Sequence, residues 1–438
     1  MSHRNSGDNR KGKHPMRLAR ELACLAVSAI TLAGTIPPTS AAEIPPAPGT
    51  AGAKTVTGTT EQKRPAFYEP PKDVPRTPGR VIRSEYASRQ IDPLRVGALS
   101  SKANRVLYSS VDRTGAPVAV SGLVVVPTSA WKGPGPRPIV TYAPVTQGMA
   151  DRCAPSRRAA RFMAFEELFY WNLLRDGYAV AMTDYQGLGT PGTHTYMNRI
   201  SQGRAVLDIA RAAISLPGSG LSPDSPVGIV GYSQGGGAAA AAAELASSWA
   251  PELKVKGASV GAPPADLGQL ANVVDSKQDS MFMMYALTGL MSGYRIDPKK
   301  HLSEAGEKML GRVENSCLGD KYSFAKVSSR TLLKNGKPLA EHFDREPFAS
   351  ILAENRIGKR APAMPVQINH SRKDETIPFS SGKTLHRQWC QAGAKVALNP
   401  NGGLSHALGL APHTTQTRSF FTQMFAGAAF TDNCGKKF

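Results

Sequence analysis

Apolar positions along this chain follow two periods, and their alternation lays out an architecture. Residues 106–111 and 118–126 are β-branched runs around Asp112-Arg113-Thr114-Gly115, a polar turn with glycine, which predicts a hairpin. Short apolar runs at 138–143, 178–183, 226–232 and 255–260 predict further strands, as do 365–369 and 395–399. Between them, 159–174, 204–215 and 413–425 carry helical spacing. Strands alternating with helices imply a mostly parallel sheet flanked by helices, an α/β class.

The stretch from Ala262 to Pro365 breaks this rhythm. A crossover helix needs roughly 20 residues, and here about 100 intervene. Within it, Ser280 to Leu287, with Leu290 and Met291, is apolar and rich in methionine, and 302–316 and 324–334 also look helical. This predicts a helical cap inserted over 267–350. Any single methionine there reads as cap core, but as a group thioethers suit a surface that accepts variable apolar chains.

The N-terminus has a different logic. A charged start (Arg4, Arg10, Lys11, Lys13, Arg17, Arg20) leads into an apolar stretch at 22–36 and then Pro37-Pro38-Thr39-Ser40-Ala41-Ala42. That is the pattern of a secretory signal over 1–42, with Met16 as an alternative start. The apolar stretch is short for a membrane span, so a soluble exported protein without stable membrane insertion is expected. Residues 43–95, Pro/Gly-rich, read as a flexible leader. The α/β core then occupies 96–266 and 351–438.

Charge and cysteine narrow the partners. Loss of 1–42 lowers the formal net charge from +20 to +16, but the Lys and Arg are scattered, without interleaved aromatics, and do not form a nucleic-acid surface. Attraction to anionic surfaces or lipid interfaces is the plainer reading. Cys153, Cys317, Cys390 and Cys434 remain, an even set that favours two disulfides in an exported chain, with three pairings open. None has zinc spacing, and no metal or cofactor is expected.

The chemistry is concentrated at Gly231-Tyr232-Ser233-Gln234-Gly235. The five-residue pattern is common by chance. Its setting makes it specific, an apolar strand before it and a helix beginning with small residues after it. A serine on such a strand-to-helix elbow is how the α/β-hydrolase fold presents its nucleophile. Its hydroxyl needs a base, and the base an orienting acid, in the chain order Ser, Asp/Glu, His. His406 follows the last strand on Asn401-Gly402-Gly403-Leu404-Ser405-His406 and is the expected base, with His413 as competitor. His370 precedes the expected acid, and His194 precedes the serine. Asp374 follows the penultimate strand and is the expected acid; Asp266 is the alternative, Glu375 is read as solvated and Asp184 as a cap or turn residue. The backbone N–H of Gln234 is the expected first oxyanion donor.

Several segments in one order carry a resemblance. They are Tyr142 with Asp151-Arg152-Cys153-Ala154-Pro155-Ser156, then Asp184-Tyr185-Gln186-Gly187 and Leu207-Asp208-Ile209-Ala210-Arg211-Ala212. Gly231-Tyr232-Ser233, Gly261-Ala262-Pro263-Pro264-Ala265-Asp266, Asp374-Glu375-Thr376-Ile377-Pro378 and His406 complete the set. Over most of 100–430 the chain resembles the secretory lipase family around yeast lipase A. The resemblance implies an α/β-hydrolase core with a helical cap, no cofactor, and hydrolysis of acylglycerols or other carboxylic esters. It also implies a triad of Ser233, Asp374 and His406, a second oxyanion donor at Gln147, and a Cys153–Cys317 disulfide, which leaves Cys390 with Cys434. The expected activity is thus a secreted serine hydrolase acting on lipid or other esters. Acyl transfer through the same acyl-enzyme is the alternative, and a non-catalytic binding protein of this fold is the third reading.

Overall fold

The computed structural model describes residues 64–87, 101–159 and 166–438. Nine strands form one sheet: β1 (Val81–Tyr86), β2 (Ser101–Val111), β3 (Pro117–Pro127), β4 (Ile139–Ala143), β5 (Ala179–Thr183), β6 (Pro226–Tyr232), β7 (Lys254–Gly261), β8 (Val366–Ser371) and β9 (Val396–Asn401). Their order is β1-β2-β3-β5-β4-β6-β7-β8-β9. β1, β2, β3 and β5 pair antiparallel, and every pair from β5 through β4 to β9 is parallel. Every residue of β4, β5 and β8 is buried, the signature of parallel strands covered on both faces by helices.

All eight expected strands are present, with ends displaced by a few residues. The hairpin strands start earlier and pair from Ser101–Pro127 to Val111–Pro117. The expected helix at 204–215 begins at Arg199, where Asn198 caps it by accepting from the Ser201 N–H. The span 159–174 contains no single described helix. Pro155–Ala159 and Glu167–Arg175 are separate helices, and 160–165 lies outside the described residues.

The leader needs correction in its described part. The signal reading at 1–42 lies outside the described residues, but 64–87 is built into the fold. Phe67 and Tyr68 are buried against Leu107, the Tyr68 hydroxyl lies 3.0 Å from Ser156 Oγ, and β1 extends the sheet beside β2. Two adjacent aromatics bury enough apolar area to hold a segment that composition alone marks as loose.

A second apolar cluster stands apart from the sheet's core. It runs from Ala271 to Ile351, with Met149 and Tyr196 contributed from outside that stretch. Its main helices are Leu267–Val274, Ser280–Tyr294, Glu304–Glu314 and Phe348–Asn355. Met281, Met284 and Met291 are buried within it, so most of the methionine-rich stretch is packing material. The expected helix at 324–334 is a single turn, Ser329–Leu332.

Candidate active site

β6 ends at Tyr232 and a helix starts at Gln234, so Ser233 alone must turn the chain. It does so at φ 59° and ψ −121°, a conformation a residue with a side chain rarely adopts. The turn is held by the Ser233 N–H, which donates to the Gly261 carbonyl at 3.0 Å. Neighbouring backbone approaches so closely that a Cβ on Gly231 would collide with the Gly235 carbonyl. One on Gly235 would strike that of Ala143, and one on Gly236 that of Gly261. Ala238 to Ala243 are all buried, which brings the helix down onto the sheet. The Gln234 N–H begins that helix without an acceptor inside it, and the helix dipole is positive there.

Two other loops reach this serine. His406 Nε2 lies 2.8 Å from Ser233 Oγ, and His406 Nδ1 lies 2.7 Å from Asp374 Oδ2. The other oxygen of Asp374 accepts the backbone N–H groups of Thr376 and Ile377 at 3.1 and 2.7 Å. Burial pushes the Asp374 carboxyl up, but hydrogen bonds from His370, His406 and the Ile377 N–H outweigh it and hold the group at about 2. An ionised Oδ2 requires the proton on His406 Nδ1, which leaves Nε2 to accept from the serine hydroxyl. The Tyr232 hydroxyl donates to the His406 carbonyl at 2.6 Å, and Glu375 accepts the His406 N–H at 2.9 Å. Glu375, read as solvated, is exposed but also holds the histidine loop.

Gln147 is nearly fully buried, and its side chain is already engaged. Its amide donates to Glu166 Oε1 at 2.8 Å and to the Val145 carbonyl, while its oxygen accepts from Arg158. What this residue can offer an oxyanion is therefore its backbone N–H. Glu166 gathers the loop, accepting also from the Val145 N–H and the Tyr142 hydroxyl, and burial pushes its carboxyl up to about 7 despite these bonds. The cap braces the same loop from the other side. The Leu318 N–H donates to the Gln147 carbonyl, the Met149 N–H to that of Ser316, and Cys153 is bonded to Cys317. The second disulfide is Cys390–Cys434. His386 lies beside it, but with both thiols spent in the bond that trio has no thiolate to offer a metal.

The remaining candidates go elsewhere. Asp266 caps the helix Leu267–Val274 and pairs with Arg356. Asp184 is fully buried and accepts from Ser121 and from both the N–H and hydroxyl of Ser156; burial raises it to about 6. His413 is buried beside Tyr232, within hydrogen-bond distance of Asn369, and burial lowers it to about 3. His194, passed over on chain order, is no base for the serine but supports the elbow. Its Nδ1 donates to the Gln186 carbonyl and its Nε2 accepts from the Gln234 side chain at 3.1 Å. Glu166 was not singled out by sequence, and its place inside the 159–174 window, next to Glu167, gave no signal that set it apart.

Ser233 opens onto an apolar pocket that runs under the helices Leu267–Val274 and Ser280–Tyr294. Leu267, Val274, Phe282, Leu290 and Phe343 line it, and among the described residues no charged side chain does. Met283 is the one member of the 280–291 methionines that reaches it.

This arrangement has relatives. The secreted triacylglycerol lipase LIP5 of Malassezia furfur is 27% identical over 333 residues, covering 72% of this chain and 84% of that protein. A protein of Mycobacterium tuberculosis called a probable inactive lipase, MT1628, is 28% identical over 387 residues, covering 84% of this chain and 83% of that one. The closed-state structure of Candida antarctica lipase A superposes with a TM-score of 0.76 at 22% identity, covering 85% of this chain and 88% of that one, and so shares the fold. The pattern of the family described as secretory lipase matches residues 155–433, well over half of the chain, and the chain belongs to the secretory lipase family.

Proposed function

We propose that this chain is a secreted carboxylic ester hydrolase in which Ser233, His406 and Asp374 are nucleophile, general base and orienting acid. The observation that carries the reading is the unbroken hydrogen-bonded line from Ser233 Oγ through His406 to Asp374, at 2.8 and 2.7 Å, at the mouth of an apolar pocket. His406 Nε2 takes the hydroxyl proton as Oγ bonds to the ester carbonyl carbon. The oxyanion is met by the N–H groups of Gln234 and Gln147. Collapse expels the alcohol, which leaves with the proton held by His406, and the acyl group stays on Ser233. A water molecule then gives its proton to His406 and attacks the acyl carbon; the free acid departs and the serine recovers its hydrogen.

The uncharged pocket suits an acyl chain, and several relatives are named triacylglycerol lipases, which supports acylglycerols as the substrate class. A lipid-facing mouth fits the exposed Leu404 and Leu408 on either side of His406, with Arg372 and Lys373 exposed beside Asp374. No helix among the described residues is long and apolar enough to cross a membrane. Export accords with the charged and apolar N-terminal pattern and with the family's description.

Ser233→Ala should abolish turnover of p-nitrophenyl esters, by about 10⁴-fold or more, with the fold intact by circular dichroism. Retention of most turnover would sink the assignment. The M. tuberculosis relative's name raises a non-catalytic reading, which covalent labelling decides. A fluorophosphonate probe should modify the wild-type chain at Ser233, and an unlabelled wild-type chain would favour the binding protein.

A further inference from the structure

One buried imidazole near the site has no part in the steps above. His370, in β8, has no exposed side-chain surface. Its Nε2 lies 2.9 Å from the Ile377 carbonyl oxygen and 3.3 Å from Asp374 Oδ2, the oxygen that also receives His406. Both neighbours are acceptors, so the proton belongs on Nε2, shared between the shorter bond to Ile377 and the longer contact to the carboxylate. The opposite nitrogen, Nδ1, is buried without a hydrogen-bond partner among the described residues and faces Gly382, where a Cβ would crowd it. A ring held this closely has little freedom to rotate, and a buried nitrogen left unpaired costs free energy that some other contact must offset.

We infer that His370 is a positioning residue for the acid. Its single N–H closes the turn from Asp374 to Ile377 and fixes Oδ2 towards His406. The inference rests on the Ser233–His406–Asp374 reading. Without His370, Oδ1 still accepts the Thr376 and Ile377 N–H groups and the Thr376 hydroxyl still reaches Asp279, but Oδ2 keeps only the His406 contact, which would let the carboxylate pivot about Oδ1. With His370 in place both oxygens are pinned, and the plane presented to His406 is set before substrate arrives.

The charged and titratable groups around this turn come from four directions. His406 arrives from the loop after β9, and Glu375 holds that loop through its N–H. Asp279, at the start of the cap helix Ser280–Tyr294, accepts from the Thr376 hydroxyl and pairs with Lys321. Arg372 lies over the Phe379 ring, which packs edge-on against His370. Of these only His406 itself donates to Oδ2, so His370 is the group whose loss changes what that oxygen offers the imidazole.

His370→Leu removes the donor while keeping an apolar body in the space. A carboxylate that has lost a donor accepts more strongly from the remaining imidazole and favours the His406 imidazolium. The acid limb of kcat/KM against pH should therefore move to higher pH, while a pivoting carboxylate lowers kcat by roughly tenfold with KM little changed. In His370→Gln the amide N–H stands near the imidazole Nε2, and both effects should be largely reversed. A leucine variant of wild-type melting temperature with an unchanged or lower limb, or unchanged kcat, would overturn the inference. Where that variant does not fold, long-range ¹H–¹⁵N spectra of the wild-type chain decide the matter. His370 should be the Nε2–H tautomer, and an Nδ1–H tautomer would overturn the proposal. Ser233→Ala, assayed in parallel, separates failure of this inference from failure of the triad itself, since only the latter leaves that variant active.

Discussion

The serine and its two partners are held by opposite means. Around Ser233 the chain is shaped by what has been taken away. Glycines at 231, 235 and 236 let backbone from β4 and β7 approach to contact, and the positive φ follows from that crowding. Around His406 and Asp374 the chain is shaped by what has been added. Tyr232, Glu375, Ser371, His370 and two backbone N–H groups each place a hydrogen bond on one of the two loops. Steric exclusion is all-or-none, whereas a polar clamp loses its hold one bond at a time. Substitutions in the two regions should therefore fail differently.

Gly235→Ala should have the largest effect. Its Cβ would overlap the Ala143 carbonyl, backbone that cannot yield without breaking the β4–β6 pairing. A loss of more than about 3 kcal/mol, or no folded protein, is expected in urea denaturation. Near-wild-type stability would show that the elbow is softer than the comparison claims.

Asp374→Asn should remain folded at neutral pH, less stable by on the order of 2 kcal/mol, and lower kcat by roughly 10⁴-fold, because the amide can present the wrong hydrogen-bonding partner to His406. The same residue makes the wild-type chain acid-labile. Its carboxyl is held at about 2 in the fold, below its ordinary value. The stability this contributes is present above the unfolded pKa and is lost as pH falls from about 4 towards 2, on the order of 2 kcal/mol. Denaturation at a series of pH values should show that slope in the wild type and its absence in the asparagine variant.

Tyr232→Phe, the smallest change, removes one donor from the His406 carbonyl. A fall in kcat of about threefold to tenfold is expected, with stability reduced by roughly 1 kcal/mol. A larger effect from this single hydroxyl than from Gly235→Ala would reverse the ordering and with it the distinction between the two regions.

Much of this arrangement was legible along the chain because it depends on local pattern. The strand before Ser233, the glycines around it and the small residues after it are adjacent in sequence, and so are Asp374 and the turn that caps its own oxygen. The chain order Ser, Asp, His then separated His406 from His370, and the place of His413 in the final helical segment separated it from His406. That same rule discarded His370 and His194 as bases and so passed over them as supports. A side chain that acts by touching another functional group leaves no spacing to read. Glu166 was silent for the same reason, since its partners Tyr142, Val145 and Gln147 lie about 20 residues upstream across a bend. The methionine-rich stretch serves both of its expected purposes: Met281, Met284 and Met291 are packing, while Phe282, Met283, Ala286 and Leu290 line the pocket, and helical apolar spacing alone does not tell the two faces apart.

Local pattern was sufficient for the class of sheet, for a helical stretch between two of its strands and for a serine on a strand-to-helix elbow, because each is written in residues a few positions apart. Tertiary structure alone decided that Phe67 and Tyr68 bind their segment to the core and that the Gln147 side chain is turned to Glu166. It also decided that one pocket wall comes from the helix carrying Leu290 and another from that carrying Leu267. Those outcomes depend on distances between residues 19 to 40 positions apart, which are set by packing the whole chain and by no segment alone.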